Sequence, residues 1–176
     1  MLCMGEISPQ LADNEAWVDQ TFEKCDDILH RQVYLGQGRQ EGLLVYVEVA
    51  VSNLMLEEHV IGLSDVQPLK SYEEGKAALL AGNGLLFLDG DTNCYKISSK
   101  GYPGLGVKKA ENEKVIRGSQ EAFTESEKIN VALIRKRLRD SRMKVEEQTV
   151  GVRSHTMTAL VYMEDLIYQG LLTTMK

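Results

Sequence analysis

The chain has only three cysteines, three prolines and three histidines. Cys3, Cys25 and Cys94 are odd in number and widely spaced, which excludes a disulfide framework and fits unpaired thiols in a reducing compartment. His30, His59 and His155 stand in no metal-ligand spacing, so neither a metal nor a cofactor is expected. No serine lies in a G-x-S-x-G elbow and no cysteine stands with a histidine in a recognisable catalytic pattern, so no catalytic residue is assigned. Basic residues are outnumbered, 20 against 26 acidic, and a net charge of −6 argues against a nucleic-acid surface. Long apolar runs are missing too. The best, residues 43–51, carries Glu48 and falls far short of the roughly 20 residues that span a bilayer. No basic stretch followed by an apolar core opens the chain, so no secretory signal is expected. Two motifs fail on inspection. Asp89-Gly90-Asp91-Thr92-Asn93 begins like a calcium loop but has Cys94 at the glycine position and Lys100 at the final carboxylate, leaving a hairpin turn. The glycine-rich residues 101–107 lack the Lys-Ser/Thr of a phosphate loop and read as a linker.

What is present is a globular composition, 43% apolar and 26% charged, in a chain long enough for one domain or two small ones. Residues 14–25 read as a helix with Trp17 and Phe22 as packing contacts, 28–35 and 43–51 as strands around a glycine-rich turn. Glu48 reads as a strand-end carboxylate facing solvent. Residues 54–61 and 72–80 read as short helices, the second capped by Ser71 and stopped at Gly82. Strands at 85–88 and 94–98 follow. The same order then recurs: a helix over 125–140, strands at 143–150 and 157–163, and a closing helix over 165–176. Leu43-Leu44-Val45-Tyr46 lies over Ala159-Leu160-Val161-Tyr162 at an offset of 116, and Leu35-Gly36 over Val150-Gly151 at 115. A period this long implies paired subdomains. The expected fold is therefore α/β with α+β character: two small subdomains, each a mixed sheet with packed helices, related as an internal repeat. Residues 1–110 form the first with its linker, and 111–176 a partial second that exposes an edge and self-associates.

The helix of the second copy is read most closely. Thr124-Glu125-Ser126-Glu127 has the form of a capping box. Val131, Ile134 and Leu138 share one face, and Lys128, Arg135, Arg139 and Arg142 form a basic stripe on another, expected to stay exposed as a solvated face or a docking surface. Arg117 is expected to bridge the subdomains through a bidentate carboxylate contact, and Asn130 to satisfy its amide through backbone partners. Arg117, Asn130, Arg135 and Arg139 are the candidate interdomain or partner contacts.

The run from Glu113-Lys114-Val115-Ile116-Arg117-Gly118-Ser119 through Asn130-Val131-Ala132-Leu133-Ile134-Arg135-Lys136-Arg137-Leu138 resembles the soluble N-terminal region of the spore germination receptor A subunits, the GerA family. Val150-Gly151-Val152-Arg153-Ser154 and Gly82-Asn83-Gly84-Leu85-Leu86 carry the same resemblance, and Ser119 tilts it toward the stage V sporulation protein AF branch. The resemblance implies a non-enzymatic module of two α/β subdomains, without known catalytic residues. It implies a place at the inner spore membrane, on the cytoplasmic, spore-core side, joined to the membrane through a region outside this chain. The implied partners are receptor B and C subunits and other A subunits, and a small-molecule nutrient is the implied ligand. Two roles stay open, nutrient sensing between subdomains and receptor assembly. The alternative of another class is a small α/β enzyme whose site is assembled from distant residues.

Overall fold

The computed structural model describes residues 5–36, 40–49, 66–98 and 123–175. The expected helix over 54–61, the linker at 101–107, the 110/111 boundary, Arg117 and His59 lie outside the described residues.

The first unit opens with α1 (Leu11–Thr21), then β1 (Ile28–Leu35) and β2 (Gln40–Val47). β3 (Val66–Leu69), α2 (Tyr72–Leu80), β4 (Gly84–Leu88) and β5 (Cys94–Ile97) complete it. The five strands form one sheet in the order β1-β2-β4-β5-β3, and every neighbouring pair is antiparallel. The expected mixed sheet is thus an antiparallel one: the crossover from the edge strand β3 through α2 to β4 skips β5, so these two strands, which run the same way, are not neighbours. β3 carried no strand signal in the sequence. Pro68 cannot donate to a ladder, so it suits the edge place that β3 occupies.

The central strands bury consecutive residues, Leu43-Leu44-Val45 on β2 and Leu85-Leu86-Phe87 on β4, so both faces of the sheet centre are covered. Trp17 of α1 stacks on Tyr72 of α2 with ring centroids 4.5 Å apart, and both lie edge-on or tilted near Phe87. That aromatic cluster sets the two helices side by side on the sheet. A buried polar knot reinforces it. Asn14 donates to the Ser8 carbonyl at 2.9 Å and accepts from the Tyr72 hydroxyl at 2.7 Å.

The second unit is α3 (Glu127–Arg137), β6 (Met143–Val150), β7 (Thr156–Met163) and α4 (Gln169–Met175). Val131, Met143 and Val145 form its core, with Ile134, Ala159, Val161 and Met163 packed around them. Leu138, expected on the apolar face, lies past the helix end and is exposed. The capping box is not formed. Helix α3 starts one residue after Ser126, which makes no side-chain cap bond. Thr124 is instead tied to the helix by Asn130, which accepts from the Thr124 N–H at 2.7 Å and donates to its carbonyl at 2.8 Å. The amide of Asn130 is therefore satisfied by backbone, as the sequence implied.

The two helix–hairpin units agree in length and register. Helices α1 and α3 are both 11 residues, and 127 − 11 and 137 − 21 both give 116. Ile28 pairs with Val47 and Met143 with Met163, offsets of 115 and 116. The change of one arises between the strands: four residues separate β1 from β2, and five separate β6 from β7. Each turn opens on a glycine with positive φ, Gly36 at 66° and Gly151 at 89°, a backbone state that favours glycine. Tyr46 and Tyr162 occupy equivalent penultimate places on β2 and β7.

Candidate functional site

The segment after α1 is where the two units meet. Lys24 has a φ of 60°, which turns the chain out of the helix and lays the next residues along β6. The Val145 N–H donates to the Lys24 carbonyl and the Asp26 N–H to the Val145 carbonyl, both at 2.9 Å. The Glu147 N–H donates to the Asp26 carboxylate at 2.7 Å. Residues 24–26 thereby run parallel to β6 as a short third strand of the second sheet. This seam ends at Asp27, directly against α3.

Asp27 receives Arg135 in a bidentate contact, Nε to Oδ2 at 2.8 Å and Nη2 to Oδ1 at 2.7 Å. The Arg135 side chain has no exposed area and that of Asp27 has 5%. Nη1 of Arg135 donates to the carbonyls of Met143 and Asp140 at 3.2 and 3.3 Å, so the fork is filled on both sides. Burial works against the Arg135 charge, yet the hydrogen bonds and charge of Asp27 outweigh it and its pKa rises from the ordinary value. The neighbouring Cys25 thiol donates to Met143 O at 3.4 Å; burial pushes its pKa up against the pull of Arg135. Cys94 is also buried, and its thiol is pushed up to about 12. Neither thiol has the lowered pKa of a nucleophile.

A second ion pair crosses the junction nearer the surface. Glu48 donates its N–H to the Asp27 carbonyl at 2.9 Å, and its carboxylate accepts Lys128 Nζ at 2.6 Å. The Glu48 bond raises the Lys128 pKa, and burial raises that of Glu147 nearby. Between them lies a crevice of about 10 Å³, bounded by Asp27, Glu48, Lys128, Val131 and Glu147. That is room for about one water molecule.

The basic stripe therefore divides. Arg135 is buried where exposure was expected, because it stands four residues after Val131 and shares the helix face that meets the first unit. Lys128 pairs with Glu48, correcting the solvent-facing reading of that carboxylate. Arg139 is exposed and its Nε donates to the Lys136 carbonyl at 3.3 Å. Arg142 is exposed and holds Asp140 and Asp165. Asn130 makes its local contact with Thr124 and does not reach the Asp27 pair. Arg117, to which a bidentate interdomain bond was assigned, lies outside the described residues. Asp27 and Cys25 were missed: their partners lie 108 and 118 residues away, and only the place of Arg135 beside Val131 pointed to the pair.

Among the described residues, no group of three or more His, Cys, Asp or Glu is placed to hold a metal. His30 meets Glu15 and Asp19 of α1, at 3.4 and 3.8 Å. Asp91, in the turn once compared with a calcium loop, is engaged by Asn93 and Tyr95. No helix among the described residues is long and apolar enough to cross a membrane.

The family model for the Bacillus/Clostridium GerA spore germination protein matches residues 54–176. The chain belongs to the GerA family. Among the curated relatives of this GerA-family chain, the "Uncharacterized membrane protein YfkQ" of Bacillus subtilis (strain 168) is 29% identical over 182 residues, covering 91% of the chain and 35% of the relative. "Stage V sporulation protein AF" of the same organism is 33% identical over 103 residues, 58% of this chain and 21% of that one. The GerA-family chain thus spans about a third or less of these relatives' length. The crystal structure of the N-terminal domain of the A subunit of the Bacillus megaterium spore germinant receptor GerK3 shares the fold. It aligns with a TM-score of 0.76 at 16% identity, over 98% of this chain and 72% of that one.

Proposed function

We propose that this chain is the N-terminal module of a spore germination receptor A subunit or of a stage V sporulation protein AF relative, and that its role is receptor assembly and signal transmission. It is a non-enzymatic part, working at the inner spore membrane on the cytoplasmic side with B, C and other A subunits. The observation that carries the assembly role is the buried Asp27–Arg135 pair, set beside a main-chain seam and a crevice with room for about one water. A nutrient bound between the units would have to part a buried ion pair, at a cost of about 3–5 kcal/mol if one partner is left uncompensated. A rigid junction suits a part that passes a displacement on to its neighbours without deforming.

Nutrient sensing at the junction and a small α/β enzyme are the competing readings. A site for the enzyme would need a concavity with a poised group. A concavity beside the junction, about 330 Å³, includes Cys25 in its lining, whose thiol burial holds protonated. The test is titration of the chain with amino acids and sugars while amide NMR signals are followed. The expected result is no saturable shift at Asp27, Glu48, Lys128 or Arg135. In parallel, spores carrying Arg135→Met in the full-length protein should lose receptor B subunit from the membrane fraction. Saturable nutrient shifts at those four residues, with receptor levels unchanged, would replace assembly by sensing.

A further inference from the structure

One carboxylate at the junction is placed differently from its neighbours. Glu147 follows Met143 and Val145 along β6 at a spacing of two, so its side chain leaves the strand on the face that meets α3. Met143 and Val145 are core residues, and Glu147 ends that face half-buried at the crevice. There it shares the lining with Glu48 of the first unit and Lys128 of the second. Its main chain is fixed, since the N–H is held by the Asp26 carboxylate at 2.7 Å. The acids beside it are engaged: Asp27 holds Arg135, Asp26 holds that N–H, and Glu48 holds Lys128 at 2.6 Å. The Glu147 carboxylate itself receives no hydrogen bond among the described residues.

The charges that act on it come from three elements. Helix α3 brings Lys128 and Glu127, the end of β2 brings Glu48, and the seam at 24–26 brings Asp26. β7 sets the uncharged Ala159 opposite, and Glu146 points to the other face of β6, where it accepts from the Tyr162 hydroxyl at 2.6 Å. Glu147 is thus ringed by three carboxylates and has one counter-charge, an ammonium already given to Glu48. Burial is the largest influence, and together with the three acids it outweighs Lys128, so Glu147 keeps its proton above the ordinary carboxylate range.

We infer that Glu147 is a proton-operated release for the Glu48–Lys128 clasp between the two units. Neutral, Glu147 leaves the ammonium to Glu48, and the crevice stays closed. Ionised, it draws on the same ammonium and repels Glu48 across the crevice, so this side of the junction loosens while the buried Asp27–Arg135 pair holds. The direction with pH follows from linkage. The folded chain holds this proton more tightly than the unfolded chain, so its contribution is complete below the ordinary 4.5 and is lost as pH rises through the raised value. The clasp is therefore tighter in mild acid than at neutrality. All the groups involved lie within the described residues, and the device belongs to the junction whether the module assembles receptors or senses nutrients.

Carboxyl-carbon NMR of the chain, titrated through the carboxylate range to neutrality, follows Glu147 directly. Its midpoint should lie above 4.5. A step with the same midpoint should appear in the amide shifts of Asp27 and Glu48, across the junction, and should be absent from Glu147→Gln, whose side chain is neutral at every pH. Urea denaturation of Glu147→Gln, Glu48→Gln and the double variant then separates the clasp from general stability. Glu147→Gln should raise the midpoint at neutral pH. That gain should shrink when Glu48 is replaced as well, and should vanish as the pH falls to the ordinary carboxylate value. Should Glu48→Gln fail to fold, the NMR titrations of the wild type and Glu147→Gln decide by themselves. A Glu147 midpoint at or below 4.5, an Asp27 and Glu48 step that survives Glu147→Gln, or a gain indifferent to pH or to Glu48 overturns the inference.

Discussion

Removing one partner of the Asp27–Arg135 pair should weaken both units, although Arg135 belongs to the second. Arg135→Met keeps much of the side-chain length but leaves the Asp27 carboxylate buried without its two charge-assisted bonds, and takes one donor each from the carbonyls of Met143 and Asp140, which keep the Cys25 thiol and the Met143 N–H. Breaking a buried pair in this way costs about 3–5 kcal/mol, a large share of the roughly 5–15 kcal/mol that stabilises a domain. Asp27→Leu alone should cost a similar amount, by burying a guanidinium without its counter-charge. The double variant Asp27→Leu/Arg135→Met has no charge to bury and should lie within about 2 kcal/mol of the wild type. The coupling between the two positions is then about 4 kcal/mol or more. Urea denaturation followed by two probes checks this. Far-UV circular dichroism reports all the helices, and fluorescence of the single tryptophan, Trp17, reports the first unit's core. The Trp17 midpoint should fall with Arg135→Met and recover in the double variant. Single replacements that each cost under about 1 kcal/mol, or a Trp17 midpoint untouched by Arg135→Met, would refute the coupling.

Two further outcomes follow from local geometry. Gly42→Ala should destabilise by about 1–3 kcal/mol in thermal melts, because its new methyl would stand 3.0 Å from the Phe87 carbonyl oxygen and 3.2 Å from a Leu86 methyl. The hydrogen bonds of Arg142 hold the Asp140 carboxyl down at about 2 against an ordinary 3.8, so its contribution is present above the higher value and lost as pH falls through the lower. The melting temperature of the wild type should therefore drop more steeply between about pH 4 and pH 2 than that of Asp140→Asn, and equal slopes would show that the pair adds nothing.

The hairpins were legible because their signals are local. The strand-like runs at 143–150 and 157–163, the turn glycines Gly36 and Gly151, and the shared Leu-Val-Tyr run located both hairpins and their relation. Asn130 was legible for the same reason, since its partner Thr124 is six residues away. Three things were hidden. β3 has too few residues for a period and contains proline. The start of α1 at Leu11, earlier than expected, depends on packing between Trp17 and Tyr72, and its early end on the pull of 24–26 toward β6. Arg135 looked like one of four cations on a wet helix face, because nothing near it in sequence reveals a carboxylate 108 residues upstream. Helical spacing puts it one turn from Val131 and two turns from Lys128, and tertiary packing buried it with the first of those neighbours.

The seam at residues 24–26 also dictates a timetable. Its bonds to β6 span up to 121 residues, and the Asp27–Arg135 contact spans 108. Contacts that distant form late, since the intervening loop must first be closed. During synthesis at about 5–20 residues per second, α1 and the β1–β2 hairpin are made on the order of five to twenty seconds before Arg135 and β6 exist. Through that interval Asp27 is a carboxylate without a guanidinium, and Lys24–Asp26 is a strand without a ladder. The first unit therefore matures with one wet, charged corner, which dries only when α3 arrives. Nascent chains stalled before and after residue 150 should differ in protease sensitivity at that corner, because arrival of the second unit is what closes it.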